Sequence, residues 1–198
     1  MMYEQYAHLY DRLPLSGTGI AMGCILILLH LAAIVCPDTV KGLMNRTHLR
    51  PQWGALLMSI DFLWIALLLL DADWNPLCMP LFFFEPFRHL LLFACPVVCW
   101  VLCTKSTDHL FARALGLFLL LLALVPLSAA FLKDPVTRLL IPIWWYPVLT
   151  VAMVWIVKPY LLRDWAAAIT ARPLLFKAAS WAGLAYAAAI LICAICFW

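Results

Sequence analysis

Residues Leu110 to Leu132 read LFARALGLFLLLLALVPLSAAFL, with a single charge, Arg113, near the start. A bilayer core of about 30 Å is crossed by about 20 helical residues at 1.5 Å each, so this stretch is long enough to span a membrane as a helix. Residues 174–197, LLFKAASWAGLAYAAAILICAICF, repeat the pattern with Lys177 as the lone charge. Working outward from these two, four more segments meet the same criterion, at 17–36, 54–71, 87–104 and 139–157. The expected fold is an all-α integral membrane protein, a bundle of about six transmembrane helices forming one domain over 1–198.

The whole chain agrees with that reading. Its residues are 67% hydrophobic and 12% charged, and the mean hydropathy is +1.01, whereas a soluble domain is about half apolar and about a quarter charged. The six spans leave no stretch for a soluble catalytic domain. Pro96 and Pro126 do not break the count, because neighbouring helices can satisfy freed carbonyls. Pro142 and Pro147 predict a bend in the fifth span.

Orientation follows from Lys and Arg in short loops, which resist translocation. Lys41, Arg46, Arg50, Lys105, Arg113, Lys158, Arg163, Arg172 and Lys177 fall on one side, against Arg12, Arg88, Lys133 and Arg138 on the other. Both termini are therefore expected outside and the basic loops in the cytoplasm. The net charge of +3 then reflects topology and calls for no nucleic-acid partner.

Residues 1–13 lack the basic start of a signal peptide, since Glu4 and Asp11 precede the first apolar run. Tyr3, Tyr6, Tyr10 and Leu13 recur at helical spacing opposite Glu4, Gln5, Asp11 and Arg12, which suits a short interfacial helix. Tyr160, Leu161, Trp165 and Ile169 suggest a second one, with Arg163, Asp164 and Arg172 turned to water. Trp residues cluster near the predicted interfaces, where the indole is favoured.

Lipid tails are as apolar as Leu, so helices associate through close approach at small residues. Gly19 and Gly23 form such a pair in the first span, and Ala179, Gly183 and Ala187 form a ridge in the sixth. These faces can pack inside the bundle, or against a membrane-protein partner or a second copy of the chain. Internal packing is the simpler reading. No internal repeat is visible.

Asp61 is the carboxylate placed deep inside a span, and intramembrane acids are functional suspects. Its insertion costs about 2.5–3.5 kcal/mol, against gains of about 0.3–0.6 for each Leu, Ile or Phe of the same helix, so the span tolerates it without a partner. His30 lies at a similar distance from the cytoplasmic face. The two could form a proton- or cation-handling pair, or one buried hydrogen bond that fixes packing. Haem is not expected: His30 and His89 sit at different depths, and His30 with Met58 has no spacing motif to support it.

Cys95, Cys99 and Cys103 recur every four residues on one helix face, and Cys193 and Cys196 form C-x-x-C beside the outer end of the sixth span. Neither group has a basic residue in its own turn to stabilise a thiolate, so packing is the plain reading. Cys78, on the same outer side as Cys193 and Cys196, leaves thiol exchange as an alternative. Glu85, Arg88 and His89, near Asp71 and Asp73, form the densest outer polar cluster: either a site for a cationic or zwitterionic group or a hydrated helix end. No metal motif, nucleotide loop, catalytic serine motif or cofactor is expected.

The stretches Arg113-Ala114-Leu115-Gly116 and Lys158-Pro159-Tyr160-Leu161-Leu162-Arg163-Asp164-Trp165, with their spacing to the last span, resemble parts of uncharacterised bacterial multi-span membrane proteins over the C-terminal half. The resemblance implies a bacterial inner-membrane location and brings no activity or site residue. The leading expectation is a non-enzymatic accessory or scaffold component. The alternatives are a small transporter or proton-coupled carrier using His30 and Asp61, and a membrane thiol or cofactor redox protein.

Overall fold

The computed structural model describes residues 9–47, 51–72, 74–105 and 109–198, apart from the side chains of residues 11, 47, 82 and 83. Eight α-helices are described: α1 Leu15–Val35, α2 Pro37–Thr47, α3 Pro51–Leu69, α4 Arg88–Lys105, α5 Leu110–Ala130, α6 Leu140–Val157, α7 Tyr160–Thr170 and α8 Pro173–Cys196. Short 3-10 turns at Leu9–Arg12, Phe82–Phe87 and Val136–Leu139 complete the described elements, which include no strand. Six segments are long and apolar enough to cross a membrane: Leu15–Val35, Pro51–Leu69, Phe84–Lys105, Leu110–Ala130, Val136–Val157 and Pro173–Cys196. Each overlaps one expected span, with boundaries shifted by a few residues.

α5 is the centre of the bundle, packed between α3 on one side and α6 on the other, while α4 leans on α3 from outside. Small residues permit this: Ala112, Ala114, Ala123 and Ala129 of α5 are buried. A Cβ at Gly54 would lie 2.7 Å from the Phe111 backbone nitrogen, and one at Gly116 would lie 2.7 Å from the Ala152 carbonyl oxygen. The α3–α5 and α5–α6 backbones thus meet at positions where only hydrogen fits. α1 and α8 form a second, antiparallel pair with the most extensive contact in the molecule, joined to α5 through α1. α6 and α8 scarcely touch.

α6 runs unbroken despite its prolines. Pro142 occupies the first turn, where the missing N–H would have had no helical partner, and Pro147 lies inside the helix.

Two shorter helices, α2 and α7, link spans at the basic end of the bundle. α7 buries Leu162 and Ala166 and exposes the Arg163–Asp164 ion pair, 3.1 Å apart. α2 forms where a loop is expected between the first two spans. It starts on Pro37 with Asp38 in its first turn and ends with Arg46 in its last, the arrangement that complements a helix dipole. The two helices are joined by Asn45 Nδ2, which donates to Thr170 Oγ1 at 3.1 Å.

The expected interfacial helix over 1–13 falls largely outside the described residues. Its described part is the 3-10 turn Leu9–Arg12, in which Tyr10 is buried against Leu68 of α3 and Leu121 of α5 and accepts a 2.9 Å hydrogen bond from Trp64 Nε1.

Candidate functional site

The separation of α6 from α8 leaves a groove of about 750 Å³ between them, within the range of pockets that hold drug-sized ligands. Trp144, Pro147, Val151 and Trp155 form the α6 wall, and Phe176, Ala179, Gly183 and Tyr186 form the α8 wall. His30 of α1 and Leu119 of α5 close the back. At one end Trp144 stacks on Tyr186, with ring centroids 5.4 Å apart and planes 27° apart. The Tyr186 hydroxyl donates to the Leu140 carbonyl at 2.7 Å, tying α8 to α6 there. At the basic end Trp165 and Ile169 of α7 and Met44 of α2 cover the groove, and Trp155 meets Trp165 edge to face at 5.6 Å.

The polar atoms of this lining are few. Ser180 is buried and its hydroxyl donates to the Phe176 carbonyl at 2.8 Å. His30 Nδ1 donates to the Leu26 carbonyl at 2.8 Å. The ring edge carrying Nε2 lies against Gly183, where a Cβ would overlap it. Trp144 meets His30 edge to face at 6.1 Å. The lining therefore offers shape and apolar contact, with Ser180, Tyr186 and the His30 ring as its polar groups.

His30 and Asp61 are not brought together. Asp61 is fully buried on the α3 face that carries Gly54 and Met58, and neither carboxylate oxygen has a hydrogen-bond partner among the described residues. His30 is occupied by α8 and Trp144 instead. Similar depth did not imply adjacency, because α3 packs on α5 while α1 packs on α8.

The Glu85–Arg88 cluster is a structural knot. Arg88 is buried, and Nε and Nη2 donate to the two carboxylate oxygens of Glu85 at 2.8 and 2.9 Å. Nη1 donates to the Leu69 carbonyl at 3.1 Å and to Cys78 Sγ at 2.8 Å, and Nη2 donates to the Met79 carbonyl at 3.0 Å. All five donors of the guanidinium are thus engaged. The end of α3 is satisfied in the same way: Leu70 N donates to the Ala66 carbonyl, Asn75 Nδ2 to Leu67, Met79 N to Leu68 and Arg88 to Leu69. The four carbonyls that a helix terminus leaves without partners are all met, three by the segment that follows α3 and one by Arg88 at the start of α4. His89 is exposed outside this network, and Asp73 lies outside the described residues.

The thiols are dispersed in role. Cys78 belongs to the Arg88 knot, Cys95 is buried, Cys99 and Cys103 pack against Met58 and Leu110, and Cys193 and Cys196 are unjoined on α8. Among the described residues no three His, Cys, Asp or Glu side chains are grouped to hold a metal ion.

The small-residue faces meet one another. A Cβ at Gly19 would strike the Trp198 ring and come within 2.9 Å of Ala194 Cβ, and one at Gly23 would lie 3.0 Å from Leu191 Cβ. Ala187 is fully buried in the same core. Ala179 departs from the expected ridge: it is exposed and forms groove wall.

The groove was not anticipated from sequence. Its aromatic residues are scattered over α6, α7 and α8, and the one available signal was their number in adjoining segments. Compared with protein families, with curated proteins and with solved structures, the chain finds no match.

Proposed function

We propose that this chain is a non-enzymatic accessory component of a membrane whose work is to bind an apolar ligand drawn from the bilayer, in the groove between α6 and α8. The observation that carries the reading is the groove itself: a cavity of about 750 Å³, apolar and aromatic, closed at both ends by side-chain contacts between helices. Its few polar atoms are taken up by backbone carbonyls, as Ser180 and Tyr186 illustrate, so orientation and shape govern what enters.

The setting in this reading is a bacterial inner membrane, with the basic loops, α2 and α7 cytoplasmic and both termini outside. The excess of Lys and Arg in those loops supports the orientation, and the resemblance of the C-terminal half supports the location. A carrier built on a His30–Asp61 pair has less support, since the two residues engage different helices.

The test is intact mass measurement of the protein released gently from its own membrane. The wild type is expected to retain a stoichiometric apolar small molecule. Ala182→Trp, which adds a large side chain at an exposed groove-wall position, is expected to lose it while keeping its helix content. Equal retention by the two proteins would remove the proposal.

A further inference from the structure

We infer that the occupant is an anionic phospholipid, one acyl chain lying in the groove and its phosphate held by the ammonium of Lys41. This rests on the groove being a ligand site and adds to it the chemistry of the head group.

Length comes first. From Ile143 to Trp155 the α6 wall runs about 18 Å at 1.5 Å per residue. One leaflet is half of a hydrocarbon core of about 30 Å. The groove therefore runs slightly longer than the hydrocarbon of one leaflet, and at its basic end Met44 of α2 and Trp165 and Ile169 of α7 mark where a head group would begin.

Charge comes second. Lys41 Nζ stands 5.0 Å from the centroid of the Phe176 ring, and Phe176 is itself groove wall. The cation–π contact sets the ammonium over the mouth, and the N–H donors turned away from the ring are available to an anion. Met44, one turn further along α2, also lines the groove, so a single helix face presents both the apolar cover and the charge.

The groups around this end favour an anion. Lys177 follows Phe176 on α8, Arg172 precedes that helix, and Lys158 lies between α6 and α7. The acids of α2 and α7 are Asp38, one turn before Lys41, and Asp164, which is paired with Arg163 at 3.1 Å. Lys41 makes no ion pair among the described residues. A cationic amphiphile would meet repulsion here, and in a zwitterionic one the head group's own cation would offset part of the attraction to its phosphate.

The experiment is a lipid titration of the purified full-length protein in an uncharged detergent, using phosphatidylglycerol and phosphatidylcholine of identical acyl chains and counting bound lipid by native mass spectrometry. Wild type is expected to prefer phosphatidylglycerol by about fivefold, the effect of one basic group near an anionic lipid. Lys41→Gln is expected to bind the two lipids equally, and Lys41→Arg to restore the preference. Ala182→Trp is expected to lose both lipids. A preference that survives in Lys41→Gln, or a wild type that binds the two lipids equally, overturns the head-group assignment while the groove reading stands. Lipid retained at wild-type stoichiometry by Ala182→Trp and by Ala179→Trp overturns the groove reading, and the head-group assignment with it.

Discussion

Gly183 on α8 lies against the imidazole edge of His30 on α1, so closely that a Cβ added to the glycine would overlap the ring. This contact sets the back of the groove, because His30 and Gly183 both line it. It also explains why the small-residue ridge of α8 and the histidine of α1 belong to one interface.

Gly183→Ala is therefore expected to destabilise the bundle by about 1–3 kcal/mol, the usual cost of overpacking a tight contact. In a His30→Ala background the same substitution is expected to cost less than half as much. Reversible unfolding in micelles reads both numbers, and an equal cost in the two backgrounds would place the strain elsewhere.

Arg88 engages every donor it has, and lysine cannot reproduce that fork. Arg88→Lys and Arg88→Met should each destabilise the protein by about 1–3 kcal/mol for every carbonyl left without a donor, Leu69 and Met79 being the two at stake. The loop between α3 and α4 should become sensitive to limited proteolysis. A variant as stable and as resistant as wild type would show that the loop is held by other means.

Asp61 is a carboxyl group buried in a span with neither oxygen bonded among the described residues; the buried Trp145 indole N–H is likewise without a hydrogen-bond partner there. Leaving such a group without a partner costs about 1–3 kcal/mol, so Asp61→Leu is expected to raise stability by that order. Ligand retention should be unaffected, since Asp61 lies on the α3–α5 side of the bundle. A destabilised Asp61→Leu protein would reveal a partner for the carboxyl, and lost proton-coupled flux in liposomes would revive the carrier reading.

The link between α2 and α7 rests on Asn45 and Thr170, and these two helices cover the basic end of the groove. Asn45→Ala removes a hydrogen bond of about 1 kcal/mol, equivalent to about fivefold in an opening equilibrium. Exchange of bound lipid, followed with isotope-labelled lipid, should accelerate by about that factor. An unchanged exchange rate would mean that the ligand enters between α6 and α8 directly.

The spans were legible because a bilayer imposes length and composition on any helix that crosses it. Leu110–Ala130 and Pro173–Cys196 stand out as uninterrupted apolar runs. The Gly19–Gly23 pair could be read as a contact face for the same physical reason, though not its partner, since spacing carries no record of which helix lies opposite. Depth misled for His30 and Asp61: residues at one level of a bundle are neighbours only if their helices touch. α2 is too short and too polar to stand out as a span, and Pro37, Asp38 and Arg46 are the signals that mark its ends. The groove arises from a gap between two helices and has no sequence signature of its own. Arg88 was visible as part of a cluster, but its role depends on backbone carbonyls of α3 and of the following loop, which no residue pattern announces.

The most direct test of the account is intact mass measurement of wild type and Ala182→Trp, prepared side by side from their own membranes. The account predicts a stoichiometric bound lipid on the wild type and its loss from the variant, with helix content unchanged. The same lipid at the same stoichiometry on both proteins would contradict it.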